Sequence, residues 1–173
     1  MKLISLLPVA AVIAAGFLAL TPRVSGHTDE KASPNYEIKI PDGYRDWKLI
    51  SVAHEAGNLN DIRAILGNDE AIKTFREAKL PFPEGTVIAR LAWRYVPSEE
   101  NNKAFGREQS FVAGSPTNVQ FVVKDSKRYA TTGGWGFGQF TNGKSVNEAQ
   151  AETCFSCHEP AKSSDFIFTR YAP

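Results

Sequence analysis

Thr86-Val87-Ile88-Ala89-Arg90-Leu91-Ala92-Trp93-Arg94-Tyr95-Val96 is the clearest strand in the sequence. It follows the turn pair Glu84-Gly85, and its side chains alternate with the period of two that a pleated strand imposes. Val87, Ala89, Leu91, Trp93 and Tyr95 share one face, which reads as core. Thr86, Ile88, Arg90, Ala92 and Arg94 share the other, a mixture that suits either solvent or the wall of a site holding something polar and apolar at once.

Working outward, the turn Pro41-Asp42-Gly43 leads into residues 44–53, a strand or a short helix entering one, with Trp47, Leu49 and Ile50 as candidate core. In residues 58–66, Ile62, Ala64 and Leu66 alternate with Asp61, Arg63 and Ile65, which favours strand. Asn68 has the character of a helix N-cap, acids follow at Asp69 and Glu70, and Ile72, Phe75 and Ala78 recur at helical spacing. A helix over 69–79 is predicted, stopped by Pro81 and Pro83. Beyond the central strand, 119–124 and 135–140 read as strands separated by a turn-rich segment. Gly136 and Gly138 lie on one face of the second, where another backbone or a ligand comes close, or where the strand bulges. Ser145 and Glu148 form a capping box for a short helix that ends before Pro160, and 165–171 alternate as a closing strand. The fold class expected is α+β, a mainly antiparallel β-sheet with two short helices.

The second of those helices ends on Cys154-Phe155-Ser156-Cys157-His158, which holds the only two cysteines of the chain. C-x-x-C-H is the attachment pattern of a c-type haem. Two thiols at this spacing each add to one vinyl group of the porphyrin, and the next imidazole then lies under the ring as proximal iron ligand. Cys154 and Cys157 are thus candidate covalent anchors and His158 the candidate metal ligand, with haem c attached at the end of the C-terminal helix. A thioredoxin-like pair belongs at a strand-to-helix junction of a βαβ unit. Zinc wants four ligands, and no second Cys/His pair exists. A plain disulfide is the remaining alternative. The strands set the chain apart from the compact helical cytochromes c and from four-helix cytochromes c′.

Met1-Lys2, the almost uncharged run over 3–20 and the small residues before position 27 read as a secretory signal peptide over 1–26, an uncleaved anchor being the alternative. A leader over 27–40 and one domain over 41–173 follow. Export to the periplasm agrees with haem attachment and with cysteine usage. Removing 1–26 takes away Lys2 and Arg23 and no acid, leaving 18 basic and 19 acidic side chains, a formal charge of −1. That balance argues against a nucleic-acid partner.

Electron-carrying cytochromes c commonly add a methionine as sixth ligand. Here the sole methionine is Met1, so His27, His54, a lysine or an open position remain. Five-coordinate iron with a small-molecule ligand or substrate is expected, bis-histidine ligation through His54 being the alternative.

Tyr44-Arg45-Asp46-Trp47, Gly85-Thr86-Val87-Ile88, Val123-Lys124-Asp125-Ser126-Lys127-Arg128-Tyr129, the haem pentad and Asp165-Phe166-Ile167-Phe168-Thr169-Arg170 occur in that order. Through them the chain resembles the cytochrome P-460 family, which includes the β-type cytochromes c′. The resemblance covers nearly all of the chain beyond the leader. It implies a largely β fold, a homodimer and a five-coordinate haem c that either oxidises hydroxylamine or binds nitric oxide and carbon monoxide. The oxidising members also join a lysine to the porphyrin, on the strand after the turn at Gly85. Residues 80–102 contain no lysine, which tilts the expectation toward gas binding, while Lys103 keeps the question open. By the same analogy Leu59 and Ile88 are apolar distal candidates. Arg90 either donates to a haem propionate or iron ligand, or faces solvent. Glu148 and Glu152 are proton carriers or solvated helix acids. The expectation is an exported mono-haem protein with a mostly apolar open distal side binding nitric oxide. The alternatives are an oxidase of hydroxylamine, a peroxide-reacting enzyme, or a low-spin carrier with a periplasmic electron-transfer partner.

Overall fold

The computed structural model describes residues 38–145 and 149–172. The expected signal peptide, His27, most of the leader and Glu148 lie outside them, as do the side chains of 149–152. Among the described residues no helix is long and apolar enough to cross a membrane.

Six strands form one antiparallel sheet in sequence order: β1 (Lys48–Glu55), β2 (Asp61–Gly67), β3 (Val87–Pro97), β4 (Phe111–Lys124), β5 (Trp135–Thr141) and β6 (Lys144–Ser145). Helix α1 (Asp69–Glu77) connects β2 to β3, α2 (Glu99–Phe105) connects β3 to β4, and α3 (Ala149–His158) follows β6. The fold is therefore α+β and mainly β, with one helix more than the sequence pattern predicts.

The N-cap at Asn68 does more than start α1. Its Oδ1 accepts from the Ala71 and Val87 backbone N–H groups, both at 3.1 Å, and its Nδ2 donates to Gly85 O at 2.8 Å, so one side chain fixes the helix start and the entry of β3. The helix ends at Ala78 in the left-handed region, φ 50°, three residues before Pro81.

Both faces of the sheet are covered. Ile50, Ile65, Ile88 and Phe137 pack under α1, α3 and the C-terminal segment with Ile72, Phe82, Trp135 and Ile167. Leu66, Ala89, Leu91, Phe121 and Phe140 form a second cluster on the opposite face with Ile38 and Tyr129. The alternation read in β3 is observed, and its mixed face turns toward α3.

Three local expectations are corrected. Gly136 and Gly138 sit in regular register opposite Val123 and Phe121, without a bulge. The close neighbour of Gly136 is the buried Tyr129 ring, which occupies the space where a Cβ would stand. Gly136→Ala is therefore expected to cost about 1–3 kcal/mol through overpacking, read as a lower urea midpoint at unchanged slope. Residues 165–171 form no strand. A 3-10 segment (Glu159–Ser164) ends in two left-handed residues, Asp165 at φ 51° and Phe166 at φ 64°, which break the pleat. Side chains take the carbonyls a ladder would need, Ser164 Oγ donating to Ile167 O at 2.7 Å, and one bond, Ala172 N–H to Ile50 O at 2.9 Å, ties the tail to β1. Finally, β4 begins eight residues before the predicted 119, at Phe111.

Candidate haem site

Helix α3 sets Cys154 and Cys157 three residues apart, hence near one face, and both thiols are free. Burial, then the neighbouring Cys157, push the Cys154 thiol above its ordinary value. The next residue is the last of the helix, His158. Its ring packs between Phe137 of β5 at 4.9 Å and Phe168 at 5.1 Å. Burial lowers its pKa, against the opposing pull of its bond to the Phe166 carbonyl.

That bond decides what the imidazole can do. His158 Nδ1 lies 2.6 Å from Phe166 O. A carbonyl only accepts, so Nδ1 carries the proton and Nε2 is left with its lone pair. This is the tautomer and outer-shell orientation of a metal-binding histidine. The reversal at Asp165 and Phe166 is what aims the carbonyl at His158. It is locked by a buried ion pair: Lys124 Nζ lies 2.9 and 3.0 Å from the two carboxylate oxygens of Asp165, with side chains 6% and 10% exposed. Asp165 also accepts from Phe82 N–H at 2.9 Å, and the Phe166 ring occupies the space where a Cβ on Gly133 would stand.

Opposite α3, across a cleft of about 590 Å³, stands the sheet. Pairing aligns its inward side chains in rows. Gly67, Ile88, Val122 and Phe137 make an apolar row; Ile65, Arg90, Gln120 and Gln139 make the next; Arg63, Ala92 and Asn118 make a third. The wall thus grades from apolar to polar over three rows drawn from four strands. Asp61, 3% exposed, receives Arg90 Nη2 and Arg63 Nε, each at 2.7 Å. Arg90 Nη1 donates to Asn118 Oδ1 at 2.7 Å, and Arg90 Nε is buried without a partner. Burial, and then the like charge of Arg63, push the Arg90 guanidinium below its ordinary value, partly offset by Asp61 and Glu55.

Cys154, Cys157, His158, Leu59, Ile88 and Arg90 all line this cleft. His54 does not. It pairs with Ile62 and so faces the other side of the sheet, stacked on Tyr95 at 4.0 Å and 3.3 Å from Asn60 Oδ1. Its place as a second axial ligand is corrected on that ground. Arg94 and Lys103 are exposed, and no lysine lines the cleft among the described residues. The cleft lining is not uniformly apolar, because Arg90, Asn118, Gln120 and Gln139 set a polar edge into it. Sequence reading missed Asp61, Arg63, Asn118 and the two glutamines as site residues. The signal for the first two was present: Asp61, Arg63 and Ile65 share a face of β2, and two charges on a strand face ask for a partner.

The residues fit a haem c. Two free thiols near one helix face, a neutral imidazole with Nε2 available and an open cleft graded from apolar to polar match an amphipathic planar group tethered through vinyl carbons. Cys154 and Cys157 would hold it and His158 would bind its iron. Among the described residues no three His, Cys, Asp or Glu side chains gather to hold a bare metal ion. No curated protein matches the chain in sequence. The cytochrome P460 family does match it, over residues 41–169, and the chain belongs to that family.

Proposed function

We propose that the chain is an exported mono-haem c-type cytochrome in which His158 is the sole protein ligand to iron and the opposite side binds a small nitrogenous molecule such as nitric oxide. Bound haem supplies iron that takes a diatomic or other small ligand at an open coordination position. The chain's own part is to tether and orient. The thiols at 154 and 157 fix the group to α3, the Phe166 carbonyl holds the tautomer of His158, and the β3–β5 wall faces the ligand.

The observation that carries this reading is the His158–Phe166 bond at 2.6 Å, facing a cleft whose described lining has no second histidine, methionine or lysine. With no lysine there to join the porphyrin, the resemblance to the hydroxylamine-oxidising members weakens. Spectra of the purified holoprotein test the reading. A high-spin ferrous spectrum that changes on adding nitric oxide is expected. A ferrous band shifted far to the red would mark a lysine cross-link and favour the oxidase, and low-spin spectra in both oxidation states would overturn open iron.

A further inference from the structure

The sheet wall of the cleft holds more hydrogen-bond donors and more positive charge than its own members use. Two guanidinium groups, each with a side chain 15% exposed, meet a single buried carboxylate, Asp61. The other acid within reach is Glu55, 48% exposed and 3.1 Å from Arg63, where solvent makes the pairing weak. Arginine has no acceptor, so Arg90 must donate to the carbonyl oxygen of Asn118. That leaves the Asn118 amide NH₂ as an unspent donor. Arg90 Nε is buried and unpartnered. In the next row Gln120 Nε2 donates to Gln139 Oε1, which leaves the Gln139 NH₂ unspent. A half-buried wall of this kind discriminates by what is left unpaired, since each unspent donor shielded from bulk water counts for more.

We infer that Arg90 and Asn118 form a recognition site for a small oxyanion, so that these two side chains favour a nitrite-like ligand and not a neutral one. This rests on the reading of open iron above and names the ligand class for it. The haem's own propionate is the other oxyanion that the same donors fit, and the test separates the two.

The ferric holoprotein is titrated with nitrite, and separately with imidazole as a neutral ligand, following the absorption spectrum in the wild type, Arg90→Gln and Asn118→Leu. Nitrite binding is expected to weaken about 10- to 100-fold in Arg90→Gln, the range of one charge-assisted hydrogen bond, and by a smaller factor in Asn118→Leu. Imidazole binding stays within about threefold. Asn118→Leu leaves the Arg90–Asp61 pair in place, so it decides the matter alone if Arg90→Gln does not fold. Equal losses for both ligands, or nitrite binding unchanged in a folded variant, overturn the inference. So does a shifted reduction potential with unchanged nitrite binding, which assigns Arg90 to the propionate. In both of these cases a high-spin iron that still binds nitric oxide leaves the open-iron reading standing. A wild-type iron already low-spin overturns both.

Discussion

Replacing His158 by alanine is expected to remove the protein's grip on the iron while leaving the thioether tethers. The substitution takes away Nε2 and opens a slot between the Phe137 and Phe168 rings, which stand 4.9 and 5.1 Å from the imidazole centroid. Removing an outer-shell partner of a metal-binding histidine costs roughly 10–100-fold in affinity or activity, so losing the ligand itself should cost at least that much. The measurement is the yield of covalently haem-loaded protein and its ferrous spectrum, with and without added imidazole. Imidazole fits the vacated slot and should restore a histidine-like spectrum. Replacing either cysteine by alanine is the complementary case: one thioether remains and part of the haem becomes extractable by acid and acetone. A His158→Ala protein whose spectrum equals the wild type without imidazole would show that another residue ligates the iron.

The parts of this fold that were legible in the sequence are those that bury one face. β3 declared itself because its alternate side chains enter two different cores, and α1 because Ala71 and Ile72 are buried behind a capped start. Helix α2 was not legible because it buries nothing, so it carries no apolar period. Its signals are terminal only: Ser98 capping Asn101, acids at 99 and 100, and Gly106 in the left-handed region. The first half of β4 was hidden by Gly114, Ser115 and Pro116, residue types that strand interiors disfavour. The strand passes them through register shifts opposite Trp93, as a proline without an N–H requires. The tail misled in the opposite direction. Phe166, Phe168 and Arg170 alternate like a strand, but the alternation serves a coil that lays Ile167 into the core and Phe168 against His158. In the site, the C-x-x-C-H spacing pointed toward haem chemistry from the residues alone. The polar wall was not, because Arg90, Asn118 and Gln139 meet only through cross-strand register, which one strand's pattern does not set.

Breaking the Lys124–Asp165 pair should have the second large effect, and it should be felt at the iron. Lys124→Met leaves the Asp165 carboxylate buried with only the Phe82 N–H as a bonded partner. Asp165→Asn instead leaves the ammonium group without a counter-charge, with the asparagine amide oxygen, the Gly133 carbonyl at 3.4 Å and the Trp135 ring at 4.9 Å as its neutral partners. Removing one member of a buried pair typically destabilises by about 3–5 kcal/mol, a large share of the roughly 5–15 kcal/mol that holds a domain folded. Urea unfolding of the holoprotein measures this. The double variant Lys124→Met/Asp165→Leu buries no charge and should recover most of the loss, since apolar replacements of buried pairs are often neutral. Recovery of stability need not bring recovery of the site. Asp165 also fixes the backbone reversal that aims the Phe166 carbonyl at His158 Nδ1, and leucine does not make the bond to Phe82 N–H. The double variant should therefore unfold near the wild-type midpoint yet show a shifted iron–histidine stretching band, because the imidazole has lost the fixed acceptor that sets its tautomer. If stability and that band recover together, the ion pair serves the fold alone, and His158 is held by its aromatic neighbours and not by the chain running from Lys124 through Asp165 to the Phe166 carbonyl.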